Sequence, residues 1–108
     1  MSIDNSPDTI TDMVGQKCIV RTYSAGVWYG RVVKKVRDEV IVENARRLWK
    51  WKTAHSISLS AIAVYGVDPD GCDFAPTVPT VWLQAIELIP VSEKAMRSIE
   101  GVEDAVAG

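Results

Sequence analysis

The chain has 108 residues, 47% hydrophobic and 24% charged, with a formal net charge of −2. A chain this short builds one core that buries about two thirds of its unfolded surface, so a single soluble domain is expected. No apolar run approaches the roughly 20 residues that cross a bilayer, and Cys18 and Cys72 lie far apart without a CxxC partner, which excludes the usual spacing of a zinc site or a redox pair.

Residues 1–13, "MSIDNSPDTITDM", are polar and acidic and read as a flexible arm. They lack the basic start and apolar centre of a secretory signal, so a cytoplasmic location is expected. The folded domain is expected over 14–100. Its first part, "KCIVRTYSAGVWYGRVVKKVRDEVIVENARRLWKW", is dense in β-branched and aromatic residues, broken by "SAG" at 24–26 and "RDE" at 37–39. That pattern predicts a meander of three or four strands, at 17–23, 27–36, 40–43 and 46–52. Alternation puts Cys18 and Val20 on one face of the first strand, and Lys17, Ile19, Arg21 and Tyr23 on the other. In the second, Trp28, Val32 and Val36 oppose Tyr29, Arg31, Val33 and Lys35. Neither face is purely polar, as expected of a short curved sheet covered on both sides, and Gly30 in mid-strand marks a bulge or sharp bend.

"SISLSAIAVYG" changes period. Ser58 caps a short helix, Leu59, Ile62, Ala63 and Tyr65 form its apolar stripe, and Gly66 ends it. Residues 67–80, "VDPDGCDFAPTVPT", hold three prolines and read as a loop of lid-like length. "VWLQAIELI" at 81–89 reads as a strand closed by Pro90, after which Ser92 caps a helix that Gly101 stops. The tail at 101–108 is expected to be flexible. The sum is a mainly β (α+β) domain, a small SH3-like or Sm-like barrel or half-barrel with one or two short helices.

Charge is segregated. Residues 17–52 hold ten bases and three acids, +7, whereas residues 53–108 hold two bases and eight acids, −6. Such a division suits an anion-binding surface, or protomers that attract one another, and a homo-oligomer is expected. Catalysis has little to build on: His55 is the only histidine, no nucleophile motif surrounds a serine or cysteine, and no phosphate-cradling glycine pattern occurs. Neither enzyme activity nor a cofactor is expected. "DPDGCD" lacks the terminal glutamate of a calcium loop, so no metal is expected either.

Binding has more to build on. In an extended 46–52, Arg47, Trp49 and Trp51 share one face, opposite Arg46, Leu48, Lys50 and Lys52. An arginine in line with indole rings can hold a phosphate while the rings stack a base. The candidate ligand-binding residues are Arg21, Tyr23, Arg46, Arg47, Trp49, Trp51 and His55, with Arg31 across the hairpin. A plainer reading stands beside it: Trp28, Trp49, Trp51 and Trp82 fill the core, Arg46 and Arg47 answer the acidic half in salt bridges, and His55 lies at the surface or a helix end.

The segments "RTYSAGVWYG", "ENARRLWKW" and "SISLSAIAVYGV", in that order, resemble a family of small proteins of unassigned function encoded by tailed bacteriophages and prophages. The likeness runs over residues 14–99. It implies a phage accessory product acting in the host bacterial cytoplasm, and attaches no activity. In outline the first half is also similar to the Sm-like RNA-binding fold, but the turn at 37–39 lacks the Asp-x-x-x-Asn that grips a base. The expected function is a non-catalytic accessory protein that binds a small nucleotide-like anion, such as a sponge for a bacterial immune signal. The alternatives are a protein-binding inhibitor or regulator of a host enzyme or defence complex, an Sm-like binder of RNA or single-stranded DNA, and a minor virion component. An isoelectric point near 5.3 speaks against the nucleic-acid reading.

Overall fold

The structure, a computed structural model, describes residues 12–51 and 58–105. Their elements run β1 (Lys17–Thr22), β2 (Val27–Val36), β3 (Glu39–Lys50), α1 (Leu59–Tyr65), β4 (Asp73–Phe74), β5 (Val78–Pro90) and α2 (Glu93–Glu100). β1 pairs with β2, β2 with β3, β3 with β5, and β5 back with β1, all antiparallel. Four strands therefore close a ring, and β4 adds to the far end of β3. This is the small barrel with two short helices that the alternation predicts.

Alternation along the strands sorts the apolar side chains into two cores. Cys18, Val20, Val32, Val40, Val42, Ala45, Leu83 and Ala85, contributed by all four ring strands, fill the barrel. Ile19, Tyr29 and Leu48 point the other way and meet Ile62, Ala63, Phe74, Val91, Ala95 and Ile99 in a layer beneath the helices. Each Val, Leu, Ile or Phe so buried contributes about 1.5–3 kcal/mol relative to exposure. Burial pushes the Cys18 thiol up to about 11, so it is a packed, unreactive group at neutral pH.

The two strands expected at 40–43 and 46–52 are one strand, joined through a bulge at Asn44. Asn44 has φ 51°, a left-handed value that asparagine tolerates better than most residues. The pairing of β2 with β3 skips there, from Tyr29 opposite Arg46 to Arg31 opposite Glu43. Gly30 faces the bulge, as its mid-strand position suggested. A Cβ on it would lie 2.6 Å from Val42 Cγ1 and 3.0 Å from the Glu43 carbonyl oxygen, so only glycine lets the strands approach this closely. The extra residue also shifts the side-chain phase of β3. Val40 and Val42 face the barrel interior before it, and Ala45 does so after it, which sends Arg46 and Leu48 toward the helices.

Both helices start on the expected serines. Ser58 Oγ accepts from the Ala61 N–H and Ser92 Oγ from the Ala95 N–H, each at 3.1 Å; such a cap contributes about 1 kcal/mol. Ser92 also donates from its backbone to the Ala63 carbonyl and from its hydroxyl to that of Val64, which bolts α2 to α1. The lid-like loop at 67–80 is not a lid: it carries a 3-10 turn at Pro69–Gly71 and the strand β4, whose Phe74 is fully buried. β5 begins at Val78, earlier than expected and through Pro79, because only β3 pairs with this half of it while β1 pairs with 85–90. The tail expected to be flexible from 101 is docked as far as Ala105, with Val102 buried and the Ala105 N–H donating to the Phe74 carbonyl. No helix among the described residues is long and apolar enough to cross a membrane.

Candidate functional site

The phase shift at Asn44 separates two neighbouring arginines. Arg46, an expected ligand residue, is only 4% exposed and spends its donors inside the chain. Its Nε reaches the Ala75 carbonyl at 2.9 Å, Nη1 the Ile99 carbonyl at 3.0 Å, and Nη2 the Asp104 carboxylate at 3.1 Å. The Phe74 ring lies 5.2 Å below its Cζ. Arg46 is a strut between the barrel, the end of α2 and the docked tail, not an available anion hook.

Arg47 turns to the other side, at the mouth of the barrel. It sits opposite Trp28 across the β2–β3 pair. Its guanidinium carbon lies 4.0 Å from the centroid of the Trp49 ring and 5.6 Å from that of Trp28, within the range of cation–π attraction. Gly26 makes room for it, since a Cβ there would come 2.9 Å from the Arg47 Nε. The Arg47 backbone is fixed as well, its carbonyl accepting from Ala75 N–H at 2.8 Å. Yet among the described residues its Nε is buried without a hydrogen-bond partner and no carboxylate pairs with Arg47. A buried donor left this way costs about 1–3 kcal/mol. The two rings hold the guanidinium in place, and arginine is the side chain that binds carboxylate or phosphate with two parallel bonds. Trp49, 62% exposed, keeps ring surface open to solvent.

The other expected site residues scatter. Trp51 lies beyond the end of β3 and packs half-buried against the helix-side core. His55 and Lys52 fall outside the described residues. Arg21 pairs with Glu87 at 3.0 Å on the surface. Tyr23, 64% exposed, stands at the turn beside Gly26. The residue that sequence reasoning missed is Trp28, read there as a core filler; only the cross-strand register places it against Arg47.

Segregated charge is answered in part within the chain. The three ion pairs among the described residues, Lys17–Glu100, Arg21–Glu87 and Arg46–Asp104, each join the basic segment to the acidic one. Lys17, Tyr29, Arg31, Glu43, Arg46 and Glu100 line a polar cavity of about 300 Å³ on the outer face of the barrel, and its charges mostly serve one another. Glu100 accepts from Lys17 Nζ at 2.7 Å and from the Tyr29 hydroxyl. Partial burial works to raise the Glu100 carboxyl, but those two hydrogen bonds and the charges of Lys17 and Arg31 outweigh it and hold it below 4.5. A depressed carboxyl adds stability above its unfolded value that is lost as pH falls through the folded one. Thermal unfolding from pH 6 down to pH 2 is therefore expected to show a steeper loss below about 4.5 in the native protein than in Glu100→Gln, whose profile is shallower there. Among the described residues no group of three or more His, Cys, Asp or Glu side chains could hold a metal ion.

Fold and site together define a small closed β-barrel with a cation–aromatic ladder, Trp28, Arg47 and Trp49, at its mouth. Residues 15–99 match the domain of unknown function DUF6948, and the chain belongs to that family. No curated protein and no solved structure shows a significant match to it.

Proposed function

We propose that this domain is a non-catalytic capture module for a small anion carrying a flat ring, a nucleotide-like ligand, with Arg47 binding the anionic group and Trp49 stacking the ring. The observation that carries this reading is the Arg47 guanidinium, which lies against two indole rings and has no ion-pair partner among the described residues, while its neighbour Arg46 is fully engaged. A cation so placed is a group with which an anionic ligand can pair. In the phage setting that the sequence resemblance implies, the ligand would be a signal nucleotide withdrawn from the host. A second reading, a regulator that docks on a host protein, draws on the exposed rings of Tyr23, Trp49 and Trp82.

Calorimetric titration with nucleoside mono- and diphosphates, cyclic dinucleotides and ADP-ribose tests the proposal. Arg47→Ala is expected to weaken the best ligand by roughly tenfold or more, since a charged hydrogen bond contributes about 1.5–3 kcal/mol. Arg47→Lys should recover only part, because an ammonium lacks the planar two-point edge. Binding of nothing in the panel, or unchanged affinity in Arg47→Ala, sinks the capture reading and leaves the protein-docking one.

A further inference from the structure

We infer that the ligand carries two flat rings joined through its anionic group, as a dinucleotide does, with the second ring in the groove between Tyr23 and Trp82. This rests on the Arg47 reading above and extends it. One short turn at 24–26 separates the two places. Gly26 abuts the Arg47 guanidinium, while Ala25 accepts the Trp28 indole N–H at 3.0 Å and also walls the groove on the β5 side.

The groove's own chemistry selects a neutral ring. Its volume is about 100 Å³ and its lining, which includes Thr22, Tyr23, Trp82 and Gln84, holds no charged side chain. That is about three times a water molecule's share of the liquid, room for one flat ring but not for a whole nucleotide. An anionic group gains nothing there and belongs at Arg47. The Trp82 wall is already oriented, its indole donating to Glu39 at 3.1 Å, while Tyr23 is anchored through its backbone, whose N–H donates to the Gln84 carbonyl at 3.3 Å. Both residues remain more than half exposed, and a ring held in place before binding, as that of Trp82 is, loses little entropy when a base stacks on it.

Calorimetry on the intact protein compares 5′-mononucleotides with the matching 5′-phosphorylated dinucleotides for all four bases. The best dinucleotide is expected to bind about tenfold tighter than its mononucleotide, the gain of one further stacked base. Tyr23→Ala and Trp82→Ala should each remove most of that gain and leave mononucleotide affinity unchanged, whereas Trp82→Phe, which keeps a ring, should retain it. Arg47→Ala should weaken both ligand classes. Equal affinity for the two classes, or a dinucleotide affinity indifferent to Tyr23→Ala and Trp82→Ala, overturns the two-ring inference while the Arg47 reading survives. Absence of binding by either class overturns both, and a protein partner lost specifically in Tyr23→Ala would assign the groove to that partner instead.

Discussion

Replacing Arg46 with methionine is expected to lower the unfolding free energy by about 3 kcal/mol, although the new side chain refills most of the stem's volume. The loss is polar. The carbonyls of Ala75 and Ile99 lose a charged donor, and the latter bond is buried. A hydrogen bond from a charged group contributes about 1.5–3 kcal/mol, and a stranded buried acceptor adds its own desolvation cost. The third bond counts for less, because the Asp104 side chain is 58% exposed and its pairing is screened by water. Urea unfolding reads this as a lower midpoint at constant slope. Arg46→Lys should fall between the two, since an ammonium on a shorter reach cannot serve three acceptors. An unchanged midpoint in Arg46→Met would mean that the strut carries no net stability.

The second large effect belongs to the ring beneath it. Phe74 is fully buried in the helix-side core, and Phe74→Ala is expected to cost about 3–5 kcal/mol, the range for a phenyl removed from a packed interior. The same substitution removes the ring under Arg46 and the strand partner's bulk beside Asp104. The two variants touch one another's contacts, so the double variant should lose less than the sum, by about 0.5 kcal/mol or more. Strict additivity in a double-mutant cycle would dismiss the coupling between strut and ring.

Sequence periodicity carried the barrel because the strands obey it. Cys18 and Val20 against Ile19, and Val32 against Tyr29, fall on the two cores as alternation alone predicts. Serine caps and the glycine at Gly66 carried the helices in the same way. The site was legible only in part, and the reason is Asn44. A single residue at φ 51° fuses two expected strands and moves every later side chain of β3 to the opposite face relative to the earlier ones. Reading 46–52 by itself still put Arg47 and Trp49 together, because parity holds between those two, although the pairing with β4 shifts register between Leu48 and Lys50. It also placed Trp51 with them, where the strand has already ended, and it gave no reason to treat Arg46 and Arg47 differently. Trp28 could not be found as the second ring without the register of β2 on β3, and the buried role of Arg46 depends on the docking of a tail whose small, acidic composition suggested freedom.

Closure of the ring through β1 and β5 has a kinetic consequence. β1 is made first and β5 nearly last, and the pairing Ile19 with Ile89 spans almost the whole domain. During synthesis the early meander must wait with two hydrogen-bonding edges unfilled, those of β1 and β3 that β5 later joins, because long-range closure is entropically the slowest step in a small β-protein. Those raw edges are where a nascent chain is exposed to mispairing with another copy.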